Sequence, residues 1–276
     1  MTNKPSIVFF GTDYVSICIL EELKKNSFLP SLIVTQPDKP QGRKMTVTQP
    51  DVKVWADENN IPTLQPEVFD EDFINEITKN DWDLFIVASY GKIITNKVLE
   101  IPKHKTLNIH PSLLPKYRGP TPAEQAILDD SKETGVTVMR MDEKMDHGPI
   151  VKQEKIFFET WPDKQDMLKR LATLGGATLC DIIPDWINGK IVEVDQDHTQ
   201  ATFTKMISKE DGLINLGEND YKNFLKYKAY KPWPGVFFFE NGKRIKITDA
   251  DFINNKFIIK KIIPEGKKEM LYGNLG

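Results

Sequence analysis

Cysteine is scarce in this sequence, with only Cys18 and Cys180 among 276 residues. The two lie far apart and form no C-x-x-C pair, so neither a disulfide framework nor a zinc site is indicated. No apolar run approaches ~18 residues, the length that a membrane-spanning helix requires. The apolar run at residues 6–10 is also too short for a secretory signal. These absences predict a soluble, cytoplasmic and metal-free protein with no membrane association.

Two common catalytic motifs are missing as well. Gly11 follows the first predicted strand without further glycines, so there is no G-x-G-x-x-G fingerprint and a nicotinamide cofactor is not supported. No serine or cysteine occupies a nucleophile elbow, so a covalent acyl-enzyme is not indicated. Any acyl transfer by this protein is therefore expected to be direct and to involve no covalent acyl-enzyme.

The residues with the clearest catalytic potential lie in the segment 107–148. Apolar Leu107 and Ile109 alternate with Asn108 and His110, which predicts a buried strand with both polar side chains on one face. Prolines follow this strand, and a helix is predicted to begin near Thr121, with its hydroxyl as the N-cap. A polar strand end followed by a turn and a helix is where open α/β sheets place a ligand crevice.

A second strand is predicted at residues 135–141, and an acidic loop follows it. Such a loop is by default a solvated turn, and a single Asn or His at a strand end is more often a turn or cap residue than a catalytic one. A loop that follows a neighbouring strand can, however, present Asp146 to the ring of His110. The combination of Asn108, His110 and Asp146 therefore favours a functional site.

These three side chains suit acyl transfer to a neutral nucleophile. An amide N–H aimed at a carbonyl stabilises the developing oxyanion, an effect of about 2.7–4 kcal/mol for one donor, and Asn108 is predicted to supply it. A histidine, whose ordinary pKa is ~6.5, can carry a proton from the attacking amine to the leaving nitrogen. A neighbouring carboxylate fixes its tautomer, so His110 and Asp146 are predicted to act as a pair.

Strands alternate with helices over most of the chain, which predicts an α/β fold with a Rossmann-like parallel sheet. Short strands and an Asn-Gly turn near the C-terminus predict a small OB-like β-barrel, which is short for such a domain. The predicted boundaries are a catalytic domain at 1–194, a linker at 195–206 and the OB-like domain at 207–276.

Charge is divided unevenly along the chain. Residues 205–276 carry 14 Lys/Arg and 9 Asp/Glu, a net charge of +5, against −8 for the first 204 residues. A basic domain joined to an acidic one can hold a polyanion. An ordinary lysine-rich surface would give the same balance, so charge alone leaves both interpretations open.

Residues 108–127, NIHPSLLPKYRGPTPAEQAI, resemble the signature of the folate-dependent formyltransferases, as do ETGVTVMRMD at 133–142 and the Asp-His-Gly at 146–148. Further blocks follow in the order of that family: FFGT at 9–12, TQPDKPQGR at 35–43, SYGKII at 89–94, KEDG at 209–212, YKPWPG at 230–235 and PEGKKEM at 264–270. The resemblance is greatest to members that formylate methionyl initiator tRNA.

The resemblance implies 10-formyltetrahydrofolate as co-substrate and methionyl initiator tRNA as acceptor. We expect the protein to be a monomer. The resemblance assigns the folate pocket to eight residues: Ser89, Tyr90, Gly91, Ile93, Met141, Asp142, Ser112 and Leu113. It assigns contacts with tRNA to a loop and to exposed positions of the C-terminal domain: Arg43, Lys44, Lys243, Arg244, Lys246, Lys267 and Lys268. Two other functions stay open, a sugar N-formyltransferase acting on a nucleotide-linked amino sugar and a tRNA-binding module without catalysis.

Overall fold

The structure, a computed structural model, describes residues 4–41 and 45–274. Two compact units make up the chain. The first consists of Met1–Arg118, Gly135–Lys155 and Lys169–Thr202, and the second consists of Gly119–Thr134, Ile156–Leu168 and Phe203–Gly276. The domain boundaries drawn from the sequence remain a prediction.

Among the described residues, nine strands precede the C-terminal region: β1 Ile7–Phe10, β2 Leu32–Val34, β3 Lys39–Gln41, β4 Thr46–Thr48, β5 Thr63–Leu64, β6 Leu84–Val87, β7 Thr106–His110, β8 Glu133–Arg140 and β9 Ile150–Phe157. The helices are α1 Tyr14–Lys25, α2 Asp51–Glu58, α3 Glu71–Ile77, α4 Asn96–Leu99, α5 Pro122–Leu128, α6 Lys164–Ile187 and α7 Asp220–Tyr230. None of the helices within the described ranges is long and apolar enough to cross a bilayer.

Seven of these strands form one sheet in the order β5-β2-β1-β6-β7-β8-β9. The pairs from β5 to β7 are parallel, and β8 runs antiparallel to β7. Every residue of β1 and β6 is buried, as expected for strands covered on both faces. The predicted α/β fold with a Rossmann-like sheet is thus confirmed, with an antiparallel edge added to it.

Alternate residues of the central strands pack into two apolar layers. Phe9 and Ile86 join the cluster that includes residues of α1, α2 and α6. Phe10 and Val87 join the cluster that includes residues of α3 and α4. Because successive side chains of a strand point to opposite faces, the same four-residue strands supply both layers.

The position of β7 places the candidate catalytic residues. It lies between β6 and β8, and Asn108 is paired with Val87 on one side and with Met139 on the other. His110 is its last residue and lies opposite Thr137. The alternation of polar and apolar residues in the sequence predicted this strand correctly.

Three local expectations were wrong or incomplete. The segment assigned to a loop with Arg43 and Lys44 contains the short strands β3 and β4, and those two residues lie outside the described residues. The four-residue α4 was not foreseen, because a single turn has no measurable periodicity. The hydroxyl of Thr121 does not cap α5 but donates to the carbonyl of Lys205 at 3.0 Å.

The C-terminal part of the second unit is an antiparallel sheet with the strand order β10-β11-β12-β13. Its strands are β10 Phe237–Glu240, β11 Lys243–Ile253, β12 Lys256–Pro264 and β13 Met270–Leu271. Asn241 and Gly242 have φ values of 49° and 74°, the left-handed conformation of a tight hairpin turn. The small OB-like β domain predicted from the sequence is present as an antiparallel sheet, and its Asn-Gly hairpin is confirmed.

Candidate active site

His110 and Asp146 are brought together by the fold. His110 Nδ1 lies 3.6 Å from Asp146 Oδ1, and both side chains are largely buried. His110 Nε2 lies 2.9 Å from the carbonyl oxygen of Tyr117. Since a carbonyl only accepts, Nε2 carries the proton and Nδ1 keeps its lone pair. The Tyr117 carbonyl therefore fixes the tautomer, a role that the sequence had assigned to Asp146.

The turn after β7 holds that carbonyl in place. Tyr117 has a φ of 61°, and its amide donates to Thr202 Oγ1 at 2.8 Å. Ser112 lies at the start of the turn, where its hydroxyl donates to the carbonyl of Lys116 at 2.6 Å. Ser112, predicted to contact the folate, is thus fully buried inside the turn, and the neighbouring Leu113 is partly exposed.

Asn108 has the third predicted catalytic side chain. It is partly exposed, and it lies two residues before His110 on the same strand. Residues i and i+2 of a strand point to the same face and are separated by about 6–7 Å. One face of β7 therefore presents both the amide and the imidazole.

The loop of Asp146 is constrained along its length. Asp142 accepts the amide of Lys144 at 2.9 Å and lies 2.7 Å from His147 Nδ1. Asp146 itself has a φ of 50°, in the left-handed region that is unfavourable for most residues. The carboxylate of Asp146 thus reaches His110 from a backbone conformation that needs support from its surroundings.

Gly148 closes this loop against β8. A Cβ at this position would lie 1.9 Å from the carbonyl oxygen of Arg140, a backbone atom that has no room to move. We therefore expect Gly148→Ala to lower the free energy of unfolding by about 1–3 kcal/mol, the usual range for overpacking. Urea denaturation is the measurement, and Gly273→Ala is the control because a Cβ there meets nothing within 4 Å. Equal stability of the two variants would contradict the close approach.

The predicted folate residues on the turn after β6 differ in their surroundings. Ser89 donates from its hydroxyl to Asp13 Oδ2 at 2.8 Å, and Gly91 has a φ of 76°. Ile93 is 89% exposed. Tyr90 is 2% exposed, and its hydroxyl has no hydrogen-bond partner in the described part of the chain. Desolvation raises the pKa of Tyr90 to about 12, so this buried hydroxyl remains a donor at neutral pH.

Met141 belongs to the same apolar neighbourhood as Tyr90. Both residues pack into the cluster that contains Phe10 and Ile94. Asp142 follows directly on Met141, although both oxygens of its carboxylate already accept hydrogen bonds within the loop. Tyr90 and Met141 therefore pack into one buried apolar cluster, in which the Tyr90 hydroxyl has no hydrogen-bond partner among the described residues.

Of the predicted tRNA contacts in the second unit, Lys243, Arg244 and Lys246 lie on β11, and Lys267 and Lys268 lie in the turn between β12 and β13. Lys243, Lys267 and Lys268 are exposed as expected. Arg244 and Lys246 are only partly exposed, which corrects the expectation for both. The guanidinium carbon of Arg244 lies 3.8 Å from the ring centroid of Phe237, so this side chain is held against an aromatic face.

Two buried residues that the sequence did not single out support the loop of Asp146. Arg118 donates from Nε and Nη2 to Gln196 Oε1, at 3.2 and 2.6 Å. Gln196 donates from Nε2 to the carbonyl oxygens of Asp146 and Gly148, at 3.0 and 2.7 Å. Gln196 lies in a polar run predicted as a linker, and nothing in the local pattern distinguishes it from its neighbours.

A pair of stacked histidines adjoins this arrangement. The rings of His147 and His198 have centroids 4.0 Å apart and planes inclined by 15°. His198 Nδ1 lies 2.8 Å from Arg118 Nη2. The pKa of His198 is lowered, first because its neighbours remove hydration and then because His147 and Arg118 contribute positive charge.

The chain matches two families of known proteins. A family described as formyl transferase matches residues 5–183, and the family described as formyl transferase, C-terminal domain, matches residues 206–271. The chain belongs to the formyl transferase family. The resemblance stated from the sequence motifs is confirmed.

Curated members of the family are similar over most of their length. A methionyl-tRNA formyltransferase of Halalkalibacterium halodurans is 38% identical over 90% of this chain and 79% of the relative. The methionyl-tRNA formyltransferase of Listeria innocua is 39% identical over 91% of this chain and 80% of the relative. That of Chloroflexus aggregans is 40% identical over 88% and 79%.

Solved structures show the same fold at lower sequence identity. The N-formyltransferase from Helicobacter canadensis, in complex with folinic acid and dTDP-3-aminofucose, has a TM-score of 0.67 at 19% identity, covering 92% of this chain and 95% of its own. The methionyl-tRNA formyltransferase from Clostridium thermocellum has a TM-score of 0.62 at 14% identity, covering 94% and 98%. At these identities the likeness describes the fold and leaves the acceptor undecided.

Proposed function

We propose that this formyl transferase moves the formyl group of 10-formyltetrahydrofolate to the α-amine of methionyl initiator tRNA, by direct attack through a tetrahedral intermediate. The observation that carries the proposal is the pairing of His110 with Asp146 on the strand that also presents Asn108. Curated relatives at 38–40% identity are named for this reaction. Sugar formyltransferases of known structure are similar at 15–19% identity.

The co-substrate fits the chemistry of the residues assigned to it. Tyr90 has a buried hydroxyl that stays protonated and unpaired within the described chain. A pterin ring offers flat apolar faces and several acceptor atoms, which suit apolar side chains beside hydrogen-bond donors. We assign the pterin to the region of the exposed Ile93, on the turn after β6, and of the partly buried Met141, which directly follows β8, and 10-formyltetrahydrofolate supplies the formyl group there.

The reaction needs one oxyanion donor and one proton carrier. The Asn108 amide donates to the formyl oxygen as negative charge develops on it. His110 accepts the proton of the attacking amine at Nδ1, the nitrogen left free by the Tyr117 carbonyl. The carboxylate of Asp146, at 3.6 Å, stabilises the resulting imidazolium until the proton passes to the leaving nitrogen of the folate.

The demand on His110 is modest. An α-amine titrates near ~7.7–8, so a good part of it is already neutral close to neutral pH. The histidine therefore removes a proton mainly as the N–C bond forms. A direct mechanism without an acyl-enzyme agrees with the lack of a serine or cysteine nucleophile.

The acceptor is supported by the charge and surface of the second unit. Residues 205–276 carry a net charge of +5. Lys243, Lys267 and Lys268 are exposed there, and Phe239, opposite Arg244 in the register of the sheet, is 59% exposed. Basic and aromatic side chains on one sheet are the usual means of holding a nucleic acid backbone and its bases.

The identity of the acceptor is tested by offering the enzyme each of the two candidate acceptors separately. Formyl-labelled 10-formyltetrahydrofolate is incubated with the enzyme and with either methionyl initiator tRNA or a nucleotide-linked amino sugar. We expect the label in the tRNA and not in the sugar. Label in the amino sugar alone would overturn the proposal and favour the sugar N-formyltransferase.

Arg43 provides a test of tRNA binding outside the sheet. For Arg43→Ala we expect weaker use of methionyl-tRNA, because one phosphate contact is lost, and a decrease of about 1 in the slope of log binding constant against log salt. The measurement is a salt titration of tRNA affinity. Arg170→Ala, which removes the same charge from an exposed position on α6, is the control. If Arg43→Ala keeps the salt slope of the unaltered enzyme, its loop has no role in binding RNA.

A further inference from the structure

The backbone at Asp146 is supported by a single side-chain amide. Gln196 Nε2 donates to the carbonyl oxygens of Asp146 and Gly148, the two residues on either side of His147. Asp146 has a left-handed φ of 50°, so these two bonds hold a conformation that is not otherwise favoured. Gln196 is 5% exposed, so little water can reach these bonds to replace them.

Arg118 fixes the direction of that amide. Its Nε and Nη2 both donate to Gln196 Oε1. Because a guanidinium has only donors, the reversed amide would place an NH2 group against it and a carbonyl against two carbonyls. The buried Arg118 therefore determines that the donors of Gln196 face the Asp146 loop.

His198 completes this arrangement only in one protonation state. Its Nδ1 lies 2.8 Å from Arg118 Nη2, and an arginine nitrogen cannot accept. His198 Nδ1 must then be the acceptor, which requires a neutral ring. In a protonated ring, the N–H at His198 Nδ1 would face the N–H of Arg118 Nη2, and the positive imidazolium would lie beside the positive guanidinium.

The charges around His198 come from three segments of the first unit. The stacked ring of His147 and the cation of Arg118 oppose its protonation, as does Lys144 at longer range. Asp195 favours protonation. The carboxylate of Asp142 is paired with His147, and those of Asp142 and Asp146 act on Arg118.

We propose that Gln196 and Arg118 are positioning residues for Asp146, and that they hold it in place only while His198 is neutral, so that protonation of His198 lowers turnover. This inference rests on the proposed function, since Asp146 matters through its action on His110. It adds a dependence on pH that arises outside the residues that touch the substrates.

The direction of the pH effect follows from the lowered pKa of His198. In the unfolded chain a histidine titrates near ~6.5. A folded form with a lower pKa binds fewer protons over the interval between the two values, so the arrangement is stable above ~6.5 and loses stability as the pH falls toward the lowered pKa. Turnover is therefore expected to fall as the pH drops below ~6.5.

The role of Gln196 is tested by Gln196→Glu. The carboxylate keeps the contact with Arg118 but has no donor for the two loop carbonyls. We expect kcat to fall up to about 100-fold, as for other small displacements of a catalytic group, with KM for both substrates little changed. Arg118→Lys retains the charge and loses the bidentate contact with Gln196, so it is also expected to lower kcat. Unchanged kcat in both folded variants would overturn the proposal.

The role of His198 is tested by the pH profile of kcat in His198→Asn. Asparagine keeps an acceptor near the position of Nδ1 and does not titrate. We expect the ratio of kcat at about pH 8 to kcat at about pH 6 to be smaller in His198→Asn than in the unaltered enzyme. His104→Asn removes a histidine outside the arrangement and should leave the ratio unchanged. An identical ratio in all three proteins would refute the role of His198.

A spectroscopic measurement separates this inference from the proposed function. In the ¹⁵N spectrum of the full-length protein, His198 Nδ1 should have the shift of an unprotonated nitrogen at neutral pH and should titrate below ~6.5. A protonated Nδ1 at neutral pH would overturn the inference even in an enzyme that formylates methionyl-tRNA. A failure of the enzyme to formylate tRNA would refute the function and leave this spectrum unaffected.

Discussion

Asn108→Ala is expected to lower kcat by about 10²–10³-fold, equivalent to about 2.7–4 kcal/mol, because it removes the amide that stabilises the developing oxyanion. The affinity for the folate should change little, since this donor acts mainly on charge that is absent from the bound ground state. Single-turnover formyl transfer and equilibrium binding of tetrahydrofolate measure the two quantities separately.

Asn108→Asp provides the matched control for the shape of the side chain. It preserves the volume of Asn108 and replaces the donor by a negatively charged acceptor, so its kcat should be no higher than that of Asn108→Ala. Equal losses in folate affinity and in turnover would contradict the assigned role. They would indicate instead that Asn108 serves the binding of the co-substrate.

His110→Gln is expected to lower kcat by about 10²–10⁴-fold, the usual range for loss of a general acid–base group. Glutamine is the appropriate replacement because its amide nitrogen reaches the position of Nε2 and can still donate to the Tyr117 carbonyl. The turn after β7 should therefore remain folded, and thermal unfolding checks that it does. The rate is measured in a single turnover at saturating concentrations of both substrates.

If His110→Gln retains the kcat of the unaltered enzyme, the attacking amine needs no base from the protein. The Michaelis constants show whether His110→Gln has instead disturbed the structure of the binding pocket. If KM for both substrates stays constant while kcat falls, the missing interaction is one made in the transition state. A parallel rise in KM would point to a disturbed pocket.

Local patterns were sufficient to predict the strands that carry the site. The alternation at Thr106–His110 depends on neighbouring residues only, and this strand was recovered from the sequence. The Asn-Gly turn was recovered for the same reason, because left-handed backbone at both positions selects those residues. Family motifs then indicated which side chains meet.

Long-range polar pairs had no comparable signal. Arg118 and Gln196 are 78 positions apart, and their contact depends on how the segment near Thr202 returns to the turn after β7. The tautomer of His110 is set by a backbone carbonyl, which every residue has and no motif can reveal. Short elements such as α4 were not predicted for a different reason, since four residues span about one helical turn and so show no repeat of the pattern.

The most direct test is a double-mutant cycle between His110 and Asp146, with kcat measured for His110→Gln, for Asp146→Asn and for both together. Asp146 is 3.6 Å from Nδ1 and is assigned no action except on the protonated ring. The double variant should therefore be no slower than His110→Gln alone, because groups that act as a unit are not additive. If the two losses multiply instead, Asp146 acts independently of the imidazole, and the proposed proton transfer at His110 is wrong.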